Sequence, residues 1–161
     1  MLYIASDHGG FKLKEDLKKF LKREEVAFED VGPKKPSPND DYPDIAKIVS
    51  EKVSNHPPAL PGGAKRSTVN LGLLICRSGQ GVCIVANKFK NVRAGLVWNP
   101  AEARASRNDD MTNVLCLPAD YVSSETATVI VKNCLITPFS KEERHVRRVK
   151  KIQELEKTLL V

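Results

Sequence analysis

The stretch Leu71-Gly72-Leu73-Leu74-Ile75-Cys76-Arg77-Ser78-Gly79-Gln80-Gly81 decides the fold. Its first six residues form the most apolar run in the chain. A run this short and continuous suits a central strand of a parallel sheet, buried on both faces. The polar, glycine-containing turn of Arg77 to Gly81 follows it, and a helix is expected over Val82 to Lys88. The same alternation recurs on either side. Leu2 to Ala5 reads as a strand, and Asp7-His8-Gly9-Gly10 turns into a helix whose apolar face is Leu13, Leu17, Phe20 and Leu21. A short strand over Ala27 to Val31 ends at Gly32-Pro33, and Lys34 to Asp41 is a loop by composition. Ile45, Ile48, Val49 and Val53 then recur at helical spacing.

Beyond the central run, strands are expected over Ala94 to Val97 and Val114 to Leu117, with a helix over Ala101 to Arg107 between them. Ser124 to Leu135 reads as a helix capped by Ser124, and Glu142 to Leu160 as a long helix striped by Val149, Ile152, Leu155 and Leu159. His56 to Ser67 carries Pro57, Pro58, Pro61, Gly62 and Gly63 and is expected to be an exposed loop. Strands alternating with helices imply right-handed crossovers. The expected fold is α/β: a single-domain, Rossmann-like, doubly wound parallel sheet of about five strands, spanning 1–161, with a long C-terminal helix. In such sheets ligands bind beyond the carboxyl ends of the strands, which is where the polar turns after Ala5 and Cys76 fall.

At 161 residues the chain suits one domain with a proper core. No apolar run approaches the ~20 residues of a membrane helix, and no basic segment precedes an apolar stretch at the start. A cytoplasmic location is expected, with no membrane partner. Cys76, Cys83, Cys116 and Cys134 fit no zinc spacing. The last three sit in apolar runs and read as core residues. The net charge is +6, and Lys141 to Lys151 holds six basic residues against two acidic ones. That segment is the first place to look for an anion site. Nucleic acid is not expected, because aromatics make up only 6% of the chain and no stacking platform accompanies the cations.

Cys76 ends a buried strand, with Gly79 and Gly81 just beyond it. Glycines let successive N–H groups point into one concavity at a helix N-terminus. In general such a cradle favours thiolate over thiol and offers donors to an oxygen that becomes negative. A base beside an oxyanion hole is what proton abstraction next to a carbonyl requires. The other reading is a core cysteine before a tight turn. Asp7 either holds a hydroxyl and shuttles a proton or caps the helix that follows, and His8 can donate to an anion. Arg144 and Arg148, four apart, either grip one phosphate or form a solvated basic face.

An ordered set of segments resembles the ribose-5-phosphate isomerase B family, which also holds the galactose-6-phosphate isomerase subunits. The segments are Ser6 to Lys14, Asp41-Tyr42-Pro43-Asp44, Ile75 to Gly81, Ala86-Asn87-Lys88, Val92-Arg93-Ala94, Thr112 to Leu115, Pro138-Phe139 and Glu143-Arg144-His145. The resemblance implies reversible aldose–ketose isomerisation through an enediolate, most simply of ribose 5-phosphate, without metal or organic cofactor. It also implies a homodimer, or a dimer of dimers, with sites between subunits. By position Cys76 would be the base and Arg77, Ser78, Gly79 and Gly81 would hold the enediolate oxygens. Asp7 and Tyr42 would contact the sugar, and His8, Arg144 and Arg148 the phosphate. The glutamate that some members use as base falls at Val82, which cannot act as one.

Three departures stand out. Asp109 takes the place of a histidine credited with ring opening, Asp110 that of an asparagine used toward substrate, and Asp120 that of a phosphate-binding arginine. Asp109 can still exchange a proton with a ring oxygen if burial or Asp110 raises its pKa. Two like charges ~4 Å apart repel by about 4 kcal/mol near a protein surface. A shift toward another sugar, such as allose or galactose 6-phosphate, or a non-catalytic sugar-phosphate-binding module, therefore stands beside the leading reading. Arg77, where the family commonly has glycine, adds a compensating cation.

Overall fold

The computed structural model describes residues 1–56, 70–140 and 142–159. The proline-rich stretch expected as a loop over 56–67 lies, after His56, outside the described residues. Five strands form one parallel sheet: β1 (Leu2–Ser6), β2 (Phe28–Asp30), β3 (Leu71–Cys76), β4 (Ala94–Leu96) and β5 (Val114–Pro118), in the order β2-β1-β3-β5-β4. The apolar run of β3 lies centrally, as expected. Successive residues along it face opposite layers. Leu73 and Ile75 join Leu2, Ile4, Leu115 and Leu117 on one side, whereas Leu74 and Cys76 join Ala5, Val114 and Cys116 on the other.

Helices α1 (Phe11–Arg23), α4 (Pro100–Asp110) and α5 (Ser124–Ile136) cover the first face, and α2 (Tyr42–Ser54) and α3 (Gln80–Ala86) the second. The final helix, α6 (Glu143–Leu159), packs along α4. None of these helices is long and apolar enough to cross a membrane. Because α1 and α3 lie on opposite faces, the chain leaves β1 and β3 in opposite directions. A crevice opens between those strands at their carboxyl ends.

Several boundaries differ from the sequence reading. α3 begins two residues early because Gly79, at φ +71°, turns the chain directly into it. α4 runs on through Asn108, Asp109 and Asp110 and stops only where Met111 adopts φ +55°. The cap of α5 is Ser123, whose side chain accepts from the Thr126 N–H, whereas Ser124 donates to Asp16 on α1. The α6 stripe is buried only at Val149; Ile152, Leu155 and Leu159 are exposed, as is Ile48 on α2. Cys116 and Cys134 are core residues, as expected, and burial pushes the Cys134 thiol up to about 11. Cys83 is only half-buried.

One buried cation fixes where the second strand delivers the chain. Lys14 is fully buried on α1, and its Nζ donates to the Pro33 carbonyl (2.6 Å) and to Asp30 Oδ1 (3.2 Å). Lys18 Nζ donates to Asp30 Oδ2 at 2.6 Å, and the Gly32 N–H to Asp30 Oδ1 at 3.1 Å. Burial acts to raise the Asp30 carboxyl, but Lys18, Lys14 and the Gly32 N–H outweigh it and hold it below the usual range. A depressed carboxyl stabilises the fold above its unfolded pKa, near ~3.9, and loses that contribution as pH falls through the lower folded value. Asp30→Asn should therefore cost about 2 kcal/mol or more at pH 7, where it strands a buried lysine. Urea unfolding from pH 7 to pH 2 should show the gap to the unsubstituted protein closing in acid. A gap that is constant with pH would contradict this account.

Candidate active site

Cys76 closes β3 with its side chain 5% exposed. The Gly79 N–H donates to its Sγ at 3.1 Å. That contact depends on the left-handed backbone of Gly79, a region L-residues enter at a cost. A Cβ there would stand 2.4 Å from Leu96 Cδ1 and 3.1 Å from the backbone of Leu117 and Pro118. Ser78 is exposed, and its Oγ accepts from the Gln80 N–H at 3.3 Å. The N–H groups of Gly81 and Val82, in the first turn of α3, have no intrahelical partner by the geometry of a helix start. They are donors for an oxyanion beside Sγ. Val82 itself is fully buried in the core beneath. Tyr42, the first residue of α2, lays its ring against Gly81, where a Cβ would meet ring carbons at 2.6 Å.

Asp7 stands beside this turn because β1 and β3 pair with Ser6 opposite Ile75. The Asp7 N–H continues the ladder to the Ile75 carbonyl (3.3 Å), and Asp7 Oδ1 accepts from the Gly10 N–H (2.9 Å). One oxygen of Asp7 thus braces the turn that leads into α1, whose N-cap is Gly10 rather than Asp7. Burial pushes the Asp7 carboxyl up, against the pull of the Gly10 N–H and His8. His8 Nδ1 lies 2.6 Å from Asp40 Oδ1, which also accepts from the His8 N–H at 3.2 Å. The hydrogen bond to Asp40 raises the His8 imidazole above its ordinary value and favours the cation. Asp40 was not singled out by sequence; it lies in the aperiodic loop after β2, where no pattern marks it.

The expected conflict between Asp120 and an anion is resolved locally. Arg77 Nε donates to Asp120 Oδ2 at 2.9 Å, and the Asp120 N–H donates to the Arg77 carbonyl at 2.9 Å. Asp120 raises the Arg77 guanidinium further. A cleft of about 520 Å³ adjoins the turn, lined by Ser78, Gln80, Leu96, Trp98, Pro118 and Tyr121. A larger opening, about 790 Å³, lies away from Cys76 between β4, α4 and the exposed stripe of α6.

Four of the expected site residues are elsewhere. α4 runs from the carboxyl end of the sheet back to the amino end, so Asp109 and Asp110 on its last turn precede β5. They stand a strand's length, about 15 Å, from the level of Cys76. Asp109 is 44% exposed rather than buried, and its Oδ1 accepts from Asn108 Nδ2 (2.7 Å) and lies 3.7 Å from Nδ1 of the buried His145. Asp110 borders the larger opening. Arg144, at the start of α6, pairs with Glu142 at 2.8 Å, and Arg148 is exposed one turn on. The structure thus gathers Cys76, Arg77, Ser78, Gly79, Gly81, Asp7, His8 and Tyr42 at one end of the sheet. It does not bring Asp109, Asp110, Arg144 or Arg148 to them within one chain. No group of three or more metal-ligating side chains occurs among the described residues.

A family model described as Ribose/Galactose Isomerase matches residues 2–152. The crystal structure of ribose-5-phosphate isomerase B from Mycoplasma genitalium with bound ribulose-5-phosphate is 40% identical, superposes with a TM-score of 0.86, and aligns over 97% of this chain and 95% of that one. The Thermotoga maritima ribose 5-phosphate isomerase structure is 36% identical with a TM-score of 0.83, over 95% and 97% of the two chains. Ribose-5-phosphate isomerase B of Mycobacterium tuberculosis is 29% identical over 157 residues, 98% of this chain and 90% of that one.

Gly79→Ala should destabilise the chain by about 1–2 kcal/mol from the backbone alone, plus the contact with Leu96. An unchanged denaturant midpoint would show that Gly79 is not needed to seat the turn beneath Cys76.

Proposed function

Because this chain belongs to the ribose/galactose isomerase family, we propose that it interconverts ribose 5-phosphate and ribulose 5-phosphate by proton transfer through an enediolate, with Cys76 as base. The observation that carries this reading is the Cys76 sulfur at the end of the central strand, held by the Gly79 N–H beside unpaired N–H groups of α3. A donor aimed at the sulfur supports the negative charge that a base carries. In the open-chain aldose the thiolate takes the proton from C2, and the electron pair moves through the C1–C2 bond onto O1. The backbone of the turn from Arg77 to Gly81 stabilises the resulting enediolate. The thiol returns the proton to C1 while the proton on O2 is passed to O1, which leaves a carbonyl at C2 and a hydroxyl at C1, the ketose. Asp7 and Tyr42 face the sugar, and Asp7, whose carboxyl burial pushes up, can exchange a proton with its hydroxyls. His8 takes the phosphate. The neutralised Asp120 favours ribose 5-phosphate over a different sugar, since the carboxylate expected to repel the anion already has a cation.

The active form is proposed to be a homodimer or a dimer of dimers. The groups assigned to ring opening and phosphate binding (Asp109, Arg144 and Arg148) are a strand's length from Cys76 in one chain. In a second copy they complete the site. The exposed Ile152, Leu155 and Leu159, next to edge strand β4, supply a surface suited to burial against that copy. A cytoplasmic location fits four free thiols.

In heavy water, ribose 5-phosphate incubated with the enzyme should gain deuterium at C1 or C2 by nuclear magnetic resonance. Cys76→Ala should lower kcat by about 10²–10⁴-fold, the usual contribution of a general base, without changing the fold by circular dichroism. Retention of exchange in Cys76→Ala would remove the cysteine from the mechanism. Leu155→Glu should shift sedimentation toward the monomer and abolish turnover together; an active monomer is the result that would overturn the composite site.

A further inference from the structure

The Arg77–Asp120 pair is too exposed to be a stability device: the side chains are 70% and 42% exposed, and pairs of this kind contribute little to folding. Its geometry is nonetheless fixed from both ends. The Asp120 N–H is bonded to the Arg77 carbonyl, and the preceding Ala119 N–H to the Cys76 carbonyl, both at 2.9 Å. The loops after β3 and β5 are thereby joined, and Asp120 stands at a set distance from Arg77. Asp120 engages only Nε, so the guanidinium keeps its two Nη groups, which make no hydrogen bond among the described residues. The aliphatic stem of Arg77 crosses the first turn over Gly9, where any Cβ would stand 2.2 Å from its Cγ. That path brings the guanidinium into the electrostatic neighbourhood of both Asp7 and His8. A planar cation with a free bidentate edge, braced by a carboxylate and next to a second donor, is the arrangement that recognises a phosphate dianion.

Resting on the isomerase reading, we propose that Arg77, braced by Asp120, grips the substrate's phosphate together with His8, so that each subunit holds the anion beside its own base. Asp120 is a positioning residue, and its charge is harmless to the anion only while Arg77 covers it. Removing Arg77 therefore does two things: it deletes a donor and bares a carboxylate at the anion's approach. Removing Asp120 as well should undo the second effect.

The test is a cycle of Arg77→Ala, Asp120→Asn and the double variant, each exposed enough to fold normally. KM and kcat for ribose 5-phosphate are measured, and inorganic phosphate is titrated calorimetrically. Arg77→Ala should raise KM and the phosphate Kd about 10-fold or more, with kcat changed far less. The double variant should bind phosphate more tightly than Arg77→Ala alone, and Arg77→Lys should recover part of the loss. Wild-type turnover with an Arg77→Ala KM and phosphate Kd that are unchanged would overturn the inference, as would a double variant that is worse than Arg77→Ala. The calorimetric arm separates the two readings: a wild-type enzyme inactive on ribose 5-phosphate, whose phosphate binding still depends on Arg77, would overturn the isomerase reading and leave the clamp standing.

Discussion

The parallel pairing of β1 with β3 is the constraint on which the rest depends. Its register sets Leu2 against Leu71 and Ser6 against Ile75, so the two strands end one residue apart. Asp7 is the first residue past its strand and Cys76 the last of its own, and the ladder bond from the Asp7 N–H to Ile75 joins them. A slip of one residue would turn Cys76 toward the α1 layer and Asp7 away from the turn. That register is itself held by burial on both faces. Ile4, Leu73 and Ile75 serve one layer, Ala5 and Leu74 the other, and all five are at or near zero exposure. The core that stabilises the sheet is therefore the same structure that aligns Cys76 with the Asp7 carboxyl group.

Around that fixed pair the charges are arranged in couples. Asp40 holds the His8 ring and favours its cation, Asp120 holds Arg77, and Asp30 holds Lys14 and Lys18. The first two couples sit at the mouth of the crevice and leave donors directed outward. The third lies behind, fully covered at Lys14, and pins the start of the loop that carries Asp40. This makes the basic character of the chain local. At the carboxyl end of the sheet Asp40 and Asp120 each orient a cation.

Much of this was legible in the residues. The strands β1, β3 and β5 were, because parallel strands buried on both faces appear as unbroken apolar runs, and the half-buried edge strands β2 and β4 also fall within a residue of their expected bounds. The placement of Cys76 and its glycines at the carboxyl end of the sheet was legible because a polar glycine turn follows the buried run directly. The helix ends were less so. Asp109 and Asp110 oppose the negative end of a helix dipole, yet α4 continues through them to Met111, which supplies the left-handed stop. Two adjacent serines gave no means of choosing the cap of α5. Asp40 and the Arg77–Asp120 contact were hidden because they join segments 32 and 43 residues apart through loops without periodicity.

The helix that hid its own end also underlies the proposal that the site is shared between two chains. A helix that follows a parallel strand must return its C-terminus to the opposite edge of the sheet, so whatever α4 carries on its last turn is directed away from its own base. Asp109 is on that turn, and His145, near the start of α6, lies beside it. No loop movement carries a helix terminus across the sheet, whereas a second copy needs only to present the same corner to the first. In the proposed dimer the apolar residues of α6 and the open edge at β4 are then not defects of packing. They are the surface whose burial sets one subunit's Asp109 and arginines opposite the other's Cys76, and association becomes a requirement of the chemistry rather than an addition to the fold.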